Sequence, residues 1–178
     1  MSQIPPLVAA VYSERLTRRN ESVLTEIWDL LDQVKDPEIP VLSIWDLGVL
    51  TQVEMQQENL LISITPTYSG CPAMDTIRDD ISSLLVEGGY QNFSIKLVLS
   101  PVWSTDLMSP EGKANLQQYG IAPPVSNASC NSDECLKISC PHCGSLNTKT
   151  LSQFGSTACK ALYQCQDCNE PFDYFKNF

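Results

Sequence analysis

Cysteine is the residue type whose number and spacing in this chain point most directly to chemistry. Eight cysteines are present, and seven of them lie after residue 129. Four form two Cys-x-x-Cys pairs, Cys140 with Cys143 and Cys165 with Cys168. Two pairs at this separation are typical of a tetrahedral four-thiolate metal site. Zinc is the expected ion, and a single iron fits the same cage. Two disulfides or free thiols are the alternative.

Cys71 stands apart from the other cysteines, within the stretch Thr-Pro-Thr-Tyr-Ser-Gly-Cys-Pro-Ala-Met at 65–74. Pro66 ends a strand-like run, and Pro72 suits the first turn of a helix. Free amides and the dipole at a helix N-terminus stabilise a thiolate, so we expect a lowered pKa at Cys71. A lone cysteine can equally be a small packed hydrophobe. From the residues alone, both interpretations stay open.

Two carboxylates, Asp36 and Glu38, lie in the run Asp-Pro-Glu-Ile-Pro at 36–40. The two prolines make this segment a stiff, extended loop, because each fixes its own φ and restricts the residue before it. The carboxylates either cap neighbouring elements in a rigid connector or line a binding site. Composition does not separate these two interpretations.

The remaining cysteines and the single histidine carry weaker signals. Cys159, with Lys160 beside it, is either a small buried thiol or a reactive thiol near a cation. Cys130 and Cys135 form either an incidental pair or a second metal or redox site. His142 lies inside the first Cys-x-x-Cys pair, where we expect a solvent-facing turn residue. One histidine excludes sites that need two imidazoles, such as the His-Glu-x-x-His metalloprotease pattern.

The overall composition excludes several classes of protein. The chain has 11 Lys and Arg against 21 Asp and Glu, a net charge of −10. An acidic surface repels phosphate backbones, so nonspecific nucleic-acid binding is disfavoured. No apolar run approaches the roughly 20 residues that span a bilayer, so we expect no membrane segment. The first residues lack the pattern of a signal peptide, which favours a cytoplasmic protein.

The periodicity of apolar residues predicts the elements that position these side chains. Apolar residues at helical spacing follow Glu21 and stop at Pro37, and a second such pattern follows Pro72 and stops at Gly88. Strands are predicted over 49–55, 60–65 and 93–99, and a short helix over 110–119. The predicted fold is α/β (α+β): a small three-stranded sheet with helices against it, followed by a C-terminal four-Cys zinc-ribbon module.

The chain is predicted to divide into four segments. Residues 1–20 form a mobile or loosely helical leader, or else a docking segment. Residues 21–120 form the α/β domain, residues 121–135 a small-residue linker, and residues 136–178 the ribbon. Strands of the ribbon are expected near 148–151 and 161–163. Because so short a segment buries little core, the metal would supply most of its stability.

Two separated motifs resemble a known family. The run at 36–40, followed by Asp46-Leu47-Gly48, and the run at 65–72 resemble the α/β domain of SufT-related iron–sulfur assembly factors. Together with the four-Cys ribbon, which carries Phe-Gly-Ser-Thr-Ala-Cys-Lys-Ala at 154–161, the chain is similar to the PaaD family. These are the D components encoded with phenylacetyl-CoA 1,2-epoxidase. The resemblance covers about residues 21–178.

The resemblance implies an accessory protein of phenylacetate degradation that is not itself an enzyme. It implies that Cys71, with Asp36 and Glu38 nearby, transiently handles iron or an iron–sulfur cluster. The implied task is assembly of the iron–sulfur or diiron centres of the epoxidase, and the implied partners are its oxygenase and reductase subunits. A non-catalytic structural subunit is the alternative. A homodimer is compatible with either role.

Overall fold

The first half of the chain is built on a three-stranded sheet in a computed structural model that describes residues 9–125 and 137–177. Its strands are β1 (Leu50–Gln56), β2 (Asn59–Ile64) and β3 (Phe93–Leu97), in that spatial order. β1 and β2 form the predicted antiparallel hairpin, and β3 lies parallel to β2. With helices packed against this sheet, the predicted α+β class is confirmed.

Three helices of the predicted α/β domain accompany this sheet. They are α2 (Thr25–Leu31), α3 (Ala73–Glu87) and α4 (Pro110–Tyr119). α3 connects the two parallel strands and buries a stripe formed by Ile77, Ile81 and Leu85. Residues four apart lie on one helix face, which is why this stripe can cover the sheet. The Ser109 side chain caps α4 by accepting from the Gly112 N–H at 2.8 Å.

The described part of residues 1–20 is helical and packs on the domain, which agrees with the loosely helical and docking interpretations of the leader. Ala10–Asn20 form a helix, α1, and its Tyr12 and Arg15 are buried. The Arg15 guanidinium lies 4.2 Å from the centroid of the Trp45 ring and donates to the Trp45 carbonyl at 2.8 Å. The apolar pattern was weak because a cation, and not an aliphatic stripe, attaches this helix to the domain.

A continuous apolar core lies between the helices and the sheet. Trp28 and Trp45 meet edge to face there, with ring centroids 5.7 Å apart. Most other members are branched aliphatic side chains from the strands and from the segment before β1. The largest fully buried ones are Leu31, Ile39, Leu42, Ile44, Leu47, Leu50, Leu60, Ile62, Ile64 and Ile77.

The second half of the chain forms a four-stranded sheet. Its strands are β4 (Ile121–Ala122), β5 (Thr148–Ser152), β6 (Lys160–Cys165) and β7 (Pro171–Phe175), in the spatial order β4-β7-β6-β5. β5 to β7 pair antiparallel, whereas β4 pairs parallel with β7. The start of the predicted linker is therefore a strand of the ribbon sheet. Cys130 and Cys135 lie outside the described residues.

The ribbon packs directly on the first domain. Phe175 and Cys159 from the ribbon belong to the apolar core of the first domain. The Phe175 ring meets the Trp103 ring with centroids 6.1 Å apart. The two domains therefore share buried surface. Among the described residues, no helix is both long enough and apolar enough to cross a membrane.

Candidate iron and zinc sites

The four ribbon cysteines converge at one point. Their sulfur atoms all lie within 4.8 Å of one another. The Cys140 and Cys168 sulfurs are 3.7 Å apart, and those of Cys143 and Cys165 are 3.6 Å apart. A tetrahedral ion with Zn–S bonds of about 2.3 Å requires sulfur separations of about 3.8 Å. The geometry therefore fits a four-thiolate metal site of the zinc-ribbon type.

Each Cys-x-x-Cys pair is followed by a residue in the left-handed backbone region. Gly144 has φ +77° and Asn169 has φ +63°. This conformation closes the tight turn at each pair, and asparagine is among the few non-glycine residues that adopt it readily. Sequence reasoning assigned the turn to Gly144 but missed Asn169. His142, in the first turn, is exposed as predicted.

A carboxylate ties the two turns together from outside the metal site. Asp167 accepts from the Ser145 hydroxyl at 2.5 Å and from the Asn147 amide at 2.8 Å. The Gln166 N–H also donates to the Asn147 carbonyl at 2.8 Å. These bonds hold the two pairs of ligands opposite each other. Such outer partners orient the ligands of a metal site.

Cys71 lies at the turn that joins β2 to α3. Gly70 supplies a φ of +115°, and the Cys71 N–H donates to the Tyr68 carbonyl at 3.2 Å. The sulfur accepts from the Ala73 N–H and from the Thr67 side chain, and the Tyr68 hydroxyl also hydrogen-bonds Cys71. The side chain is half-buried. The turn thus aims several donors at one partly accessible thiol.

The predicted lowering of the Cys71 pKa is wrong in its net direction. Burial raises the pKa of Cys71, and the carboxylates of Glu38 and Asp36 raise it further. The bonds from Ala73 and Thr67 lower the pKa but do not offset this. The helix-terminus effect therefore exists, and desolvation outweighs it. A cation that binds here would replace the proton and relieve the charge repulsion.

Asp36 and Glu38 lie close enough to Cys71 for their charges to act on the pKa of its thiol. Asp36 is 6% exposed, and its Oδ1 accepts from the N–H groups of Glu38 and Ile39 at 2.9 and 2.8 Å. This carboxylate therefore shapes the loop, as the rigid-connector interpretation expects, and its charge also acts on the Cys71 thiol, whereas a part in binding stays a prediction. Burial raises the pKa of both carboxyl groups.

The ribbon contributes Cys159 and Lys160 to the same region. Burial raises the pKa of Cys159, the Glu38 and Asp36 carboxylates raise it further, and Lys160 lowers it. Lys160 is 4% exposed and its ammonium lies 3.8 Å from Asp173. Cys159 is thus a buried thiol whose pKa stays above its ordinary value, although the cation beside it lowers that pKa. Nothing in the sequence spacing indicated that it faces the first domain.

Scans against known families match the two halves separately. Residues 24–89 match the family described as iron–sulfur cluster assembly protein. Residues 124–176 match the PaaD zinc beta ribbon domain. Fold and sites thus define a class of protein that joins an iron–sulfur cluster assembly domain to a four-cysteine zinc ribbon.

Relatives among curated proteins narrow this class. A protein of Escherichia coli K12 named as the D component of 1,2-phenylacetyl-CoA epoxidase is 48% identical over 151 residues, which cover 85% of this chain and 91% of that protein. The chain belongs to the family of this D component, the PaaD family. The Fe-S protein maturation auxiliary factors YitW of Bacillus subtilis and SufT of Staphylococcus aureus are each 33% identical. The match to YitW covers 54% of this chain and 95% of YitW. The match to SufT covers 47% of this chain and 96% of SufT.

Proposed function

We propose that this protein is an accessory factor that supplies iron, as the ion or within a cluster, to the metal centres of a phenylacetyl-CoA epoxidase. Cys71 is the residue that holds the iron cargo, and the ribbon holds a structural zinc ion. The observation that carries the proposal is the juxtaposition of the Cys71 thiol with the Asp36 and Glu38 carboxylates. Similarity to the maturation factors YitW and SufT supports it.

The electrostatics of the site suit a cargo that is held and then released. Two carboxyl groups and a thiol, each with a pKa raised by burial, favour a bound cation over separate negative charges. Cys71 is only half-buried, so a receiving protein can reach it. The oxygenase and reductase subunits of the epoxidase are the proposed recipients.

The test is anaerobic purification with metal analysis and a visible absorption spectrum. Thiolate-bound iron absorbs visible light, and zinc does not. We expect Cys71→Ser to lose iron and keep zinc, and Cys140→Ser to lose zinc. Ser69→Ala, an exposed change in the same loop, is the matched control. Iron that stays fully bound in Cys71→Ser would overturn the role of Cys71.

A second experiment addresses delivery. In cells that lack this protein, we expect the epoxidase to contain less iron and to regain it when the wild-type chain, but not Cys71→Ser, is restored. The second candidate function is a non-catalytic structural subunit, which the naming of the Escherichia coli relative as a part of the epoxidase favours. Stable stoichiometric co-purification with the epoxidase, together with unchanged epoxidase iron in its absence, would select that candidate.

A further inference from the structure

A groove on the surface of the first domain follows the loop at 36–40. It consists of two adjoining cavities of about 530 and 410 Å³, and Lys35 and Pro40 line both of them. The first cavity lies between the loop and α3, and the second lies between the loop and α4. Clefts that bind ligands measure roughly 300–1,000 Å³. The groove is therefore large enough for several side chains of a partner.

The floor of the groove is held in one shape. Val34 and Asp36 line the first cavity and are 5% and 6% exposed. The Asp36 N–H donates to the Leu42 carbonyl at 2.9 Å, and Pro37 and Pro40 each fix their own φ. A surface that needs no ordering loses little free energy when it binds. Because Asp36 belongs to the proposed iron site, a partner seated in the groove lies next to that site.

The α3 wall of the groove is acidic. Asp80, Ser83 and Glu87 recur at i, i+3 and i+7, which places them on one face of the helix, and all three are exposed. Among the described residues, neither of these two carboxylates takes part in an ion pair. Lys35 is the one cation among the described residues that line the groove. The wall is therefore complementary to lysine or arginine of a partner.

The α4 wall adds an aromatic ring. Tyr119 is 55% exposed at the end of α4, and Asn115 and Gln118 line the second cavity with it. The face of a tyrosine ring attracts a guanidinium, and side-chain amides both donate to and accept from a backbone that passes over them. The two walls thus favour the same kind of ligand, an extended chain with basic side chains.

We infer that this groove is the docking site for a short, extended and basic segment of the protein that receives the iron. The inference rests on the proposed function, which requires a recipient but names no surface for it. Along the α3 wall, Asp80 to Glu87 spans about 10 Å at 1.5 Å per residue. An extended chain covers that distance with about three residues. Basic residues at this spacing would meet both carboxylates.

A second copy of this chain is a poor occupant of the groove. The chain bears a net charge of −10, so two copies repel each other. The basic cluster on its own α1 is already engaged. Arg15 is buried, and Arg19 pairs with Asp29 at 2.7 Å. Arg18 donates to the Thr51 carbonyl at 2.8 Å. A basic segment of another protein has neither restriction.

The test measures binding of the full chain, purified anaerobically, to the purified oxygenase and reductase subunits of the epoxidase. The groove variant combines Asp80→Lys with Glu87→Lys and reverses the charge of the α3 wall. The matched control combines Glu58→Lys with Asp79→Lys, which makes the same change in net charge at exposed positions outside the groove. We expect one subunit to bind the wild type and the control equally. It should bind the groove variant at least tenfold more weakly, and its affinity for the wild type should fall as salt rises.

Photo-crosslinking from Gln118, an exposed residue of the groove, identifies the bound segment. We expect that segment to contain lysine or arginine, and its change to glutamate should restore binding of the groove variant. Thermal midpoints are measured for both double variants. If the groove variant is less stable than the control, Asp80→Asn combined with Glu87→Gln takes its place.

Iron measurements separate this inference from the proposed function. The groove variant should keep its own iron and should restore less iron to the epoxidase in cells that lack this protein. Three results would each overturn the inference and leave the proposed function intact: wild-type binding and delivery by the groove variant, no binding of the wild type to either subunit, or crosslinks to a second copy of this chain. Iron that stays bound in Cys71→Ser would overturn the proposed function, whatever the groove binds.

Discussion

At the scale of single residues, Asp36 illustrates a conflict between its proposed part in iron binding and the stability of the fold. Its Oδ1 accepts two backbone N–H bonds that shape the loop, yet burial raises its pKa. The folded protein therefore bears a cost whenever this group is ionised, because the unfolded chain ionises it freely. Such a cost is typical of a site kept for binding.

We predict that Asp36→Asn makes the metal-free protein more stable at neutral pH and weakens iron binding. The asparagine oxygen can still accept both N–H bonds, and the buried charge is gone. Because the folded pKa lies above the ordinary 3.8, the stability advantage exists above the folded pKa and vanishes below about pH 3.8, where both states of the wild type are protonated.

Urea unfolding at several pH values measures this difference for Asp36→Asn. Asp36→Ala is the comparison, because it removes the charge and both hydrogen bonds and should therefore be less stable than Asp36→Asn at every pH. An Asp36→Asn variant that is less stable than the wild type at pH 7 would contradict the assignment of a burial cost to this carboxylate.

A second prediction at this scale concerns Gly70. Its φ of +115° is unfavourable for a side chain, although a Cβ there would meet nothing within 4 Å. We expect Gly70→Ala to cost about 1–2 kcal/mol through backbone strain alone and to displace Cys71. Gly89, with φ +85° and equally open surroundings, is the matched control beyond the end of α3.

Denaturant midpoints and anaerobic iron content are measured for both glycine variants. Similar losses of stability are expected, with iron lowered in Gly70→Ala and unchanged in Gly89→Ala. Equal iron content in the two variants would show that the conformation of Gly70 is not needed to position Cys71.

The sequence predicted the ribbon site well and the Cys71 site only in part. Cys-x-x-Cys spacing determines local geometry, so Cys140, Cys143, Cys165 and Cys168 could be assigned without a fold. The pKa of Cys71 depends on burial and on Glu38, which tertiary packing brings close. Cys159 faces the first domain only because the ribbon docks there, and no local pattern encodes docking.

At the scale of elements, the strands of the first sheet and the helices α3 and α4 were predicted to within two residues, whereas α2 is shorter than the helical pattern between Glu21 and Pro37 predicted. α1 was predicted only as a mobile or loosely helical leader or a docking segment, since Arg15 takes the place of an apolar anchor. Its guanidinium donates to the carbonyls of Leu107, Trp45 and Leu50. Periodicity methods score such a helix as polar, although the arginine is 3% exposed.

We predict that Arg15→Met destabilises the protein by roughly 3 kcal/mol. Methionine fills the space of the aliphatic part of the arginine side chain, but it cannot donate hydrogen bonds. Three carbonyls therefore lose a charged donor in a buried place, and unsatisfied groups of this kind cost about 1–3 kcal/mol each. Arg18→Met is the control, because Arg18 is exposed and its one hydrogen bond to the described residues goes to the Thr51 carbonyl. Its expected cost is below about 1 kcal/mol. Comparable shifts of the urea midpoint in both variants would contradict the anchoring role of Arg15.

At the scale of the whole molecule, the two domains are connected by strand pairing and by shared core packing. The chain leaves α4 directly into β4, which pairs with β7 of the ribbon. From the opposite end of the ribbon, Phe175 enters the core of the first domain, where it is 1% exposed. Metal bound by the ribbon cysteines is therefore expected to support the packing around Cys71 as well as the ribbon itself.

Removal of the ribbon metal tests this joint stability. We predict that a chelator, or Cys143→Ser, unfolds the ribbon and lowers the stability of the first domain by about 3–5 kcal/mol, the usual cost of losing a buried phenylalanine. For a chain of this length, that loss corresponds to a fall in Tm of roughly 10 °C.

Cys71→Ser is the control, because it removes a thiol outside the ribbon and should keep the zinc. The Tm is followed by tryptophan fluorescence, since Trp103 contacts Phe175 directly. If the first domain unfolds at the same temperature with and without metal, the ribbon folds as an independent appendage.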